Sequence, residues 1–112
     1  MLKDAIEAIN LSIKLLDETI QNLENKKVLE FNLWKTTLEL DYAALVLSLT
    51  NNLIDFNPNL NDFSIESVKE TLIKAQSLLK EVLNIMNNDP TLAYAKIKQT
   101  IKLVKKVKEI TS

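Results

Sequence analysis

The sequence predicts an all-α protein, an antiparallel four-helix bundle made of two αα-hairpins. Three observations carry that reading. Apolar residues recur at helical spacing in four stretches, with short polar segments between them. The chain holds no glycine at all, which disfavours the tight turns of a β-rich fold. Hydrophobic residues make up 46% and charged residues 26% of its 112 residues, a globular balance with enough length for one core. The expected helices span about 2–24, 28–54, 64–87 and 90–110, in a single domain covering 1–112.

The first helix is the most regular. Leu2, Ile6, Ile9, Ile13, Leu16, Ile20 and Leu23 alternate steps of four and three, one unbroken seam on a helix face. "ENKK" at 24–27 is the first polar interruption. With no Gly or Pro to mark it, a turn and a bent continuous helix are both open there.

The second stretch, 28–54, carries two apolar arcs instead of one. Val28, Phe31, Trp34, Leu38, Tyr42, Leu45, Leu49 and Leu53 form the first. Leu29, Leu33, Leu40, Ala43, Ala44, Leu47 and Ile54 form the second, roughly 160° away on a helical wheel. A helix with one core to fill needs only one broad arc. Two nearly opposed arcs suit a helix placed between its own bundle and another surface.

The third helix repeats the seam with Ile65, Val68, Leu72, Ala75, Leu79, Val82 and Met86. Ser64 is its expected N-cap, with Phe63 and Val68 able to pack across the start as a hydrophobic staple. "NNDP" at 87–90 is the clearest boundary, offering Asp89 as N-cap and Pro90 in the first turn of the last helix. Ile97, Ile101 and Val104 mark the core side of that helix. A weak likeness between 15–25 and 78–88 is what two Leu-rich amphipathic helices produce without any duplication.

What is missing from the sequence narrows the chemistry. Gly, His, Cys and Arg do not occur, and all 14 basic residues are lysine. Glycine-rich phosphate loops and dinucleotide fingerprints are thereby excluded, since only Gly permits their close backbone approach. Zinc sites of the usual types, His-based triads and disulfides lack their side chains. Bidentate forks for phosphate or carboxylate need the absent guanidinium. No metal and no cofactor is expected. Asp4 and Glu7 interrupt the apolar run a signal peptide requires, and "YAALVLSLTNNLI" is too short to span a bilayer. The sequence therefore predicts a soluble, cytoplasmic protein that does not enter membranes. A net charge of −1 provides no global attraction to nucleic acid.

Four local features compete for a functional role. "DFNPNLNDFSIE" at 55–66 sets Asp55, Asn57, Asn59, Asn61 and Glu66 at the ligand positions of an EF-hand loop. Leu60 stands where the sharp turn needs Gly, and Asp62 where an apolar residue belongs, so the stretch reads as an ordinary polar connection. Paired carboxylates (Asp4/Glu7, Asp17/Glu18, Glu39/Asp41) occupy solvent-side positions and do not break the apolar seams. With no nucleophile, base and oxyanion donor to assemble, no enzyme is predicted.

The last helix concentrates lysine. Lys98, Lys102, Lys105 and Lys106 fall on one stripe that could meet phosphates or an acidic partner. Lysines also solvate the outer face of any helix and suit its C-terminal end. The fourth feature is the aromatic set Phe31, Trp34 and Tyr42, of which Trp34 is the only tryptophan and a candidate interface anchor.

The functional expectation is a non-enzymatic protein–protein interaction module, either a self-associating bundle (a homodimer) or a small subunit of a larger assembly. Leu29, Leu33, Trp34, Leu40, Ala44 and Leu47 are the expected contact face, which would put Phe31, Leu38, Leu45 and Leu49 in the internal core; the sequence supplies the pair of arcs and leaves open which of them faces inward. The rival expectation is binding of nucleic acid or another anionic surface through Lys98, Lys102, Lys105 and Lys106.

Overall fold

A computed structural model describes residues 2–60 and 67–112. Its described residues form four helices and no strand: α1 (Leu2–Gln21), α2 (Lys26–Thr50), α3 (Val68–Ile85) and α4 (Pro90–Thr111). Helix α1 packs on α2 and α3, and α4 packs on α3 and α2. The helices therefore close a four-cornered bundle in which α2 lies diagonally opposite α3. One cluster of buried side chains runs through all four, from Ile9 and Leu16 through Leu40 and Leu47 to Leu79, Val82, Ile97 and Val104.

The helix ends follow local chemistry. A turn at 22–25 separates α1 from α2, so the helix does not continue through this junction. Asn22 donates its side-chain amide to the Glu18 carbonyl at 2.8 Å, and Asn25 accepts from the Val28 N–H at 3.2 Å as the N-cap of α2. These two asparagines do the punctuating that Gly or Pro would otherwise do. They place the turn two residues earlier than the "ENKK" reading.

At its other end α2 stops at Thr50, short of the expected 54. Asn52 takes a left-handed conformation, with φ of 55°. The following Leu53 N–H returns to the Ser48 carbonyl at 2.9 Å. Asparagine tolerates this conformation better than other non-glycine residues, and here it serves the purpose of a C-terminal glycine.

Helix α3 begins at Val68. Ser67 is its N-cap, accepting from the Glu70 N–H at 3.3 Å, in the Ser-x-x-Glu spelling of a capping box. The expected Ser64 cap and the Phe63 half of the staple lie outside the described residues. At α4 the expectation holds: Asp89 accepts from the Leu92 N–H at 3.1 Å and Pro90 opens the helix.

Packing refines the α1 seam. Its deepest positions are Ala5, Ala8, Ile9, Ser12, Leu16 and Thr19, while Ile6, Ile13 and Ile20 pack against the core from one flank. Small side chains let α1 approach its neighbours closely, which apolar periodicity alone does not register. Several buried hydroxyls bond a carbonyl of their own helix. Ser12 donates to the Ala8 carbonyl at 2.9 Å, Thr37 to Leu33 at 2.9 Å and Thr100 to Lys96 at 2.8 Å. Thr36 Oγ1, by contrast, is buried without a partner. Asn32, also buried, ties α2 to α1 by donating to Glu18 Oε1 at 3.3 Å.

Candidate functional site: the outer face of α2

Helix α2 sits at a corner of the bundle and shows one of its two apolar arcs to the core and the other to solvent. Leu29, Leu33, Leu40, Ala43, Ala44 and Leu47 are buried. Phe31, Trp34, Leu38, Tyr42, Leu45 and Leu49 face outward, each between 45% and 57% exposed. This reverses the expected assignment. Leu29, Leu33, Leu40, Ala44 and Leu47 hold the bundle together and cannot serve as a contact face, whereas Trp34 does lie on the outside. Phe31, Leu38, Leu45 and Leu49, expected inside, form the surface.

The physical reason lies in side-chain size and in the polar residues beside each arc. The inward arc must fit beside α1 and α4, and it contains the two alanines, Ala43 and Ala44, that permit close approach. It is also flanked by Asn32, Thr36, Thr37 and Ser48, small polar groups of which Asn32 and Thr37 are buried with their side chains hydrogen-bonded. The outward arc carries all three of the helix's aromatic residues. These are too bulky for the crowded corner between two neighbouring helices.

The outward residues form a straight stripe. Steps of 3, 4, 4, 3 and 4 residues from Phe31 to Leu49 keep the side chains within roughly an 80° sector over about 27 Å of helix. At its N-terminal end the Phe31 and Trp34 rings meet with centroids 5.9 Å apart and planes tilted by 50°. That arrangement is favourable for two aromatic rings and fixes Trp34 against the helix surface. Six half-exposed side chains of this size leave on the order of 500 Å2 of contiguous apolar surface, in the range of the largest patches on monomeric proteins.

Two grooves border the stripe. On the α1 side, Asp4, Glu7, Ala8 and Leu11 line a cleft with Glu39 and Tyr42. On the α4 side, Asp41, Ala44, Leu45 and Ser48 face Tyr94 and Lys98. The first lining carries three carboxylates, of which Glu39 is paired with Lys35 at 3.2 Å, so Asp4 and Glu7 keep the groove net acidic. The second holds one lysine, Lys98, and one carboxylate, Asp41, in its lining. The Tyr94 ring lies 6.0 Å from that of Phe56, and Lys98 Nζ stands 6.0 Å from its centre.

The lysine stripe is where its spacing implies, on the face of α4 opposite Ile97, Thr100, Val104 and Val107. Lys105 is exposed, and Lys98, Lys102 and Lys106 are half-buried along the same face. Lys96 lies off this stripe and bonds Glu81 of α3 at 2.9 Å. Of the loop that resembles a calcium site, Asp55, Asn57 and Asn59 are described, while Asn61 and Glu66 fall outside the described residues. Among the described residues no three acidic side chains gather closely enough to hold a metal ion, and no helix is long and apolar enough to cross a membrane.

The fold and the site together define a four-helix bundle with one apolar outer helix face. Comparison with protein families, with curated proteins and with solved structures finds no match.

Proposed function

We propose that this protein works by protein–protein association, through the outward stripe of α2. The observation that supports the reading is the stripe itself: six large apolar side chains in line, each about half exposed, on a helix whose other face already fills the core. A bundle needing only stability would carry polar residues there, as the outer face of α4 does. A contiguous apolar patch at the upper end of the range seen on monomeric proteins is often a site of interaction. Aromatic anchors such as Trp34 and Phe31 are the residues that concentrate binding energy at protein interfaces.

The reading is tested by comparing the wild type with Leu45→Glu in solution, by light scattering on a sizing column at low and high salt. Leu45 is outward, so the variant should keep its helical content and a cooperative thermal transition while losing association. Apolar contact predicts association that holds or strengthens with salt, whereas phosphate or acidic-surface binding through lysines weakens steeply. Association that falls away with salt and ignores Leu45→Glu would point instead to the lysine stripe.

A further inference from the structure

Resting on that reading, we infer that the occupant of the α2 stripe is a second copy of this chain, docked with the two α2 helices side by side in parallel. Area is the first argument. On the order of 500 Å2 from each copy gives roughly 1,000 Å2 in total, the lower bound for a specific interface, before any rim contacts are added. The stripe spans most of α2, so two copies can cover each other from Phe31 to Leu49 and leave no apolar remainder. Self-pairing also stacks the Phe31–Trp34 ring pair of one copy against that of the other, a favourable use of four aromatic rings.

Charge selects the direction. The α1-side groove, with Asp4, Glu7 and Glu39, and the α4-side groove, with Lys98 and Asp41, overlap in height on α2, the first beside Glu39 and Tyr42 and the second from Asp41 to Ser48. A twofold axis running along α2 exchanges left and right but keeps height. It sets the three carboxylates of each copy opposite the groove that holds Lys98 in the other. A twofold axis across the helices would instead press the carboxylate groove of one copy on that of its partner. Like charges held together at an interface are costly, and this favours the parallel arrangement.

The absence of cysteine makes the arrangement readable. Two single-cysteine variants, Phe31→Cys and Leu49→Cys at the two ends of the stripe, sit about 27 Å apart along the helix. In a parallel dimer each should form an interchain disulfide with itself under mild oxidation. An antiparallel dimer would leave both variants uncrosslinked alone and crosslink only their mixture, which overturns the parallel geometry. The mass of the wild type comes first. A monomer at high micromolar concentration overturns the second-copy inference and leaves the stripe to a different protein. A dimer unchanged by Leu45→Glu or Leu38→Glu overturns the stripe as the interface, and the inference with it. The expected result is a dimer whose dissociation constant rises roughly 30-fold or more in either variant, as for the loss of an interface hot spot. The sole tryptophan supplies a second readout: Trp34 emission should shift to the blue on dilution reversal, as its exposed half becomes covered.

Discussion

Helices α2 and α4 pack against one another in the core and differ mainly in what they turn outward. Both bury an apolar arc, through Leu33, Leu40 and Leu47 in one and Ile97, Val104 and Val107 in the other. Beyond that arc, α4 presents Lys98, Lys102, Lys105 and Lys106 on its far side, while α2 presents Phe31, Trp34, Leu38, Tyr42, Leu45 and Leu49. The difference teaches that burying a core does not dictate the opposite face. Lysine is the ordinary solution there, because its charged head stays in water over an apolar stem. The outward arc of α2 departs from that solution along nearly the whole helix.

The sharpest way to break the comparison is to charge each helix on each face. On the inside, Leu40→Glu or Val104→Glu buries a carboxylate with no partner. Each should cost several kcal/mol and abolish the cooperative thermal transition seen by circular dichroism. Leu40→Glu would therefore report on folding and say nothing of association, since Leu40 is fully buried. On the outside the helices should diverge. Leu45→Glu should dissociate the protein while keeping a cooperative thermal transition, with a melting temperature that no longer rises with concentration, and Lys105→Glu should change neither mass nor stability by more than about 0.5 kcal/mol. Equal effects from the two outer substitutions would erase the distinction between the faces.

Smaller effects test how α2 is held between its neighbours. Thr36 Oγ1 is buried and unpartnered, so Thr36→Val keeps the shape and removes an unsatisfied group. Denaturant titration should show a gain of about 1 kcal/mol. Loss of stability on that change would mean the hydroxyl has a partner after all. Asn25→Ala removes the cap of α2 and Asp89→Ala that of α4, and each should lower stability by about 1 kcal/mol.

Much of this architecture is legible along the chain. The seam of α3 from Leu72 to Met86, the core positions Ile97, Ile101 and Val104, and the Asp89–Pro90 start of α4 stand where periodicity and capping chemistry put them. Helix ends were harder to read where asparagine replaced glycine. Asn22, Asn25 and Asn52 end or begin helices through side-chain bonds and a left-handed backbone, and a search for Gly and Pro passes over them. The Ser67–Glu70 capping box was visible in the spelling but was overshadowed by Ser64, which stands before an earlier apolar residue. The deep positions of α1 escaped because Ala5, Ala8, Ser12 and Thr19 are small or polar, and depth was read from large apolar side chains.

By itself, the sequence determined four amphipathic segments, the absence of Gly, His, Cys and Arg chemistry, and the existence of two apolar arcs on α2. These follow from spacing and composition, which belong to each segment alone. Tertiary structure decided which arc of α2 is the core and which is surface. A helical wheel is blind to its neighbours, and both arcs satisfy the hydrophobic pattern equally. Only the close approach of α1 and α4 breaks the tie. It admits the arc with Ala43 and Ala44 and leaves Phe31, Trp34 and Tyr42, with their leucines, facing out.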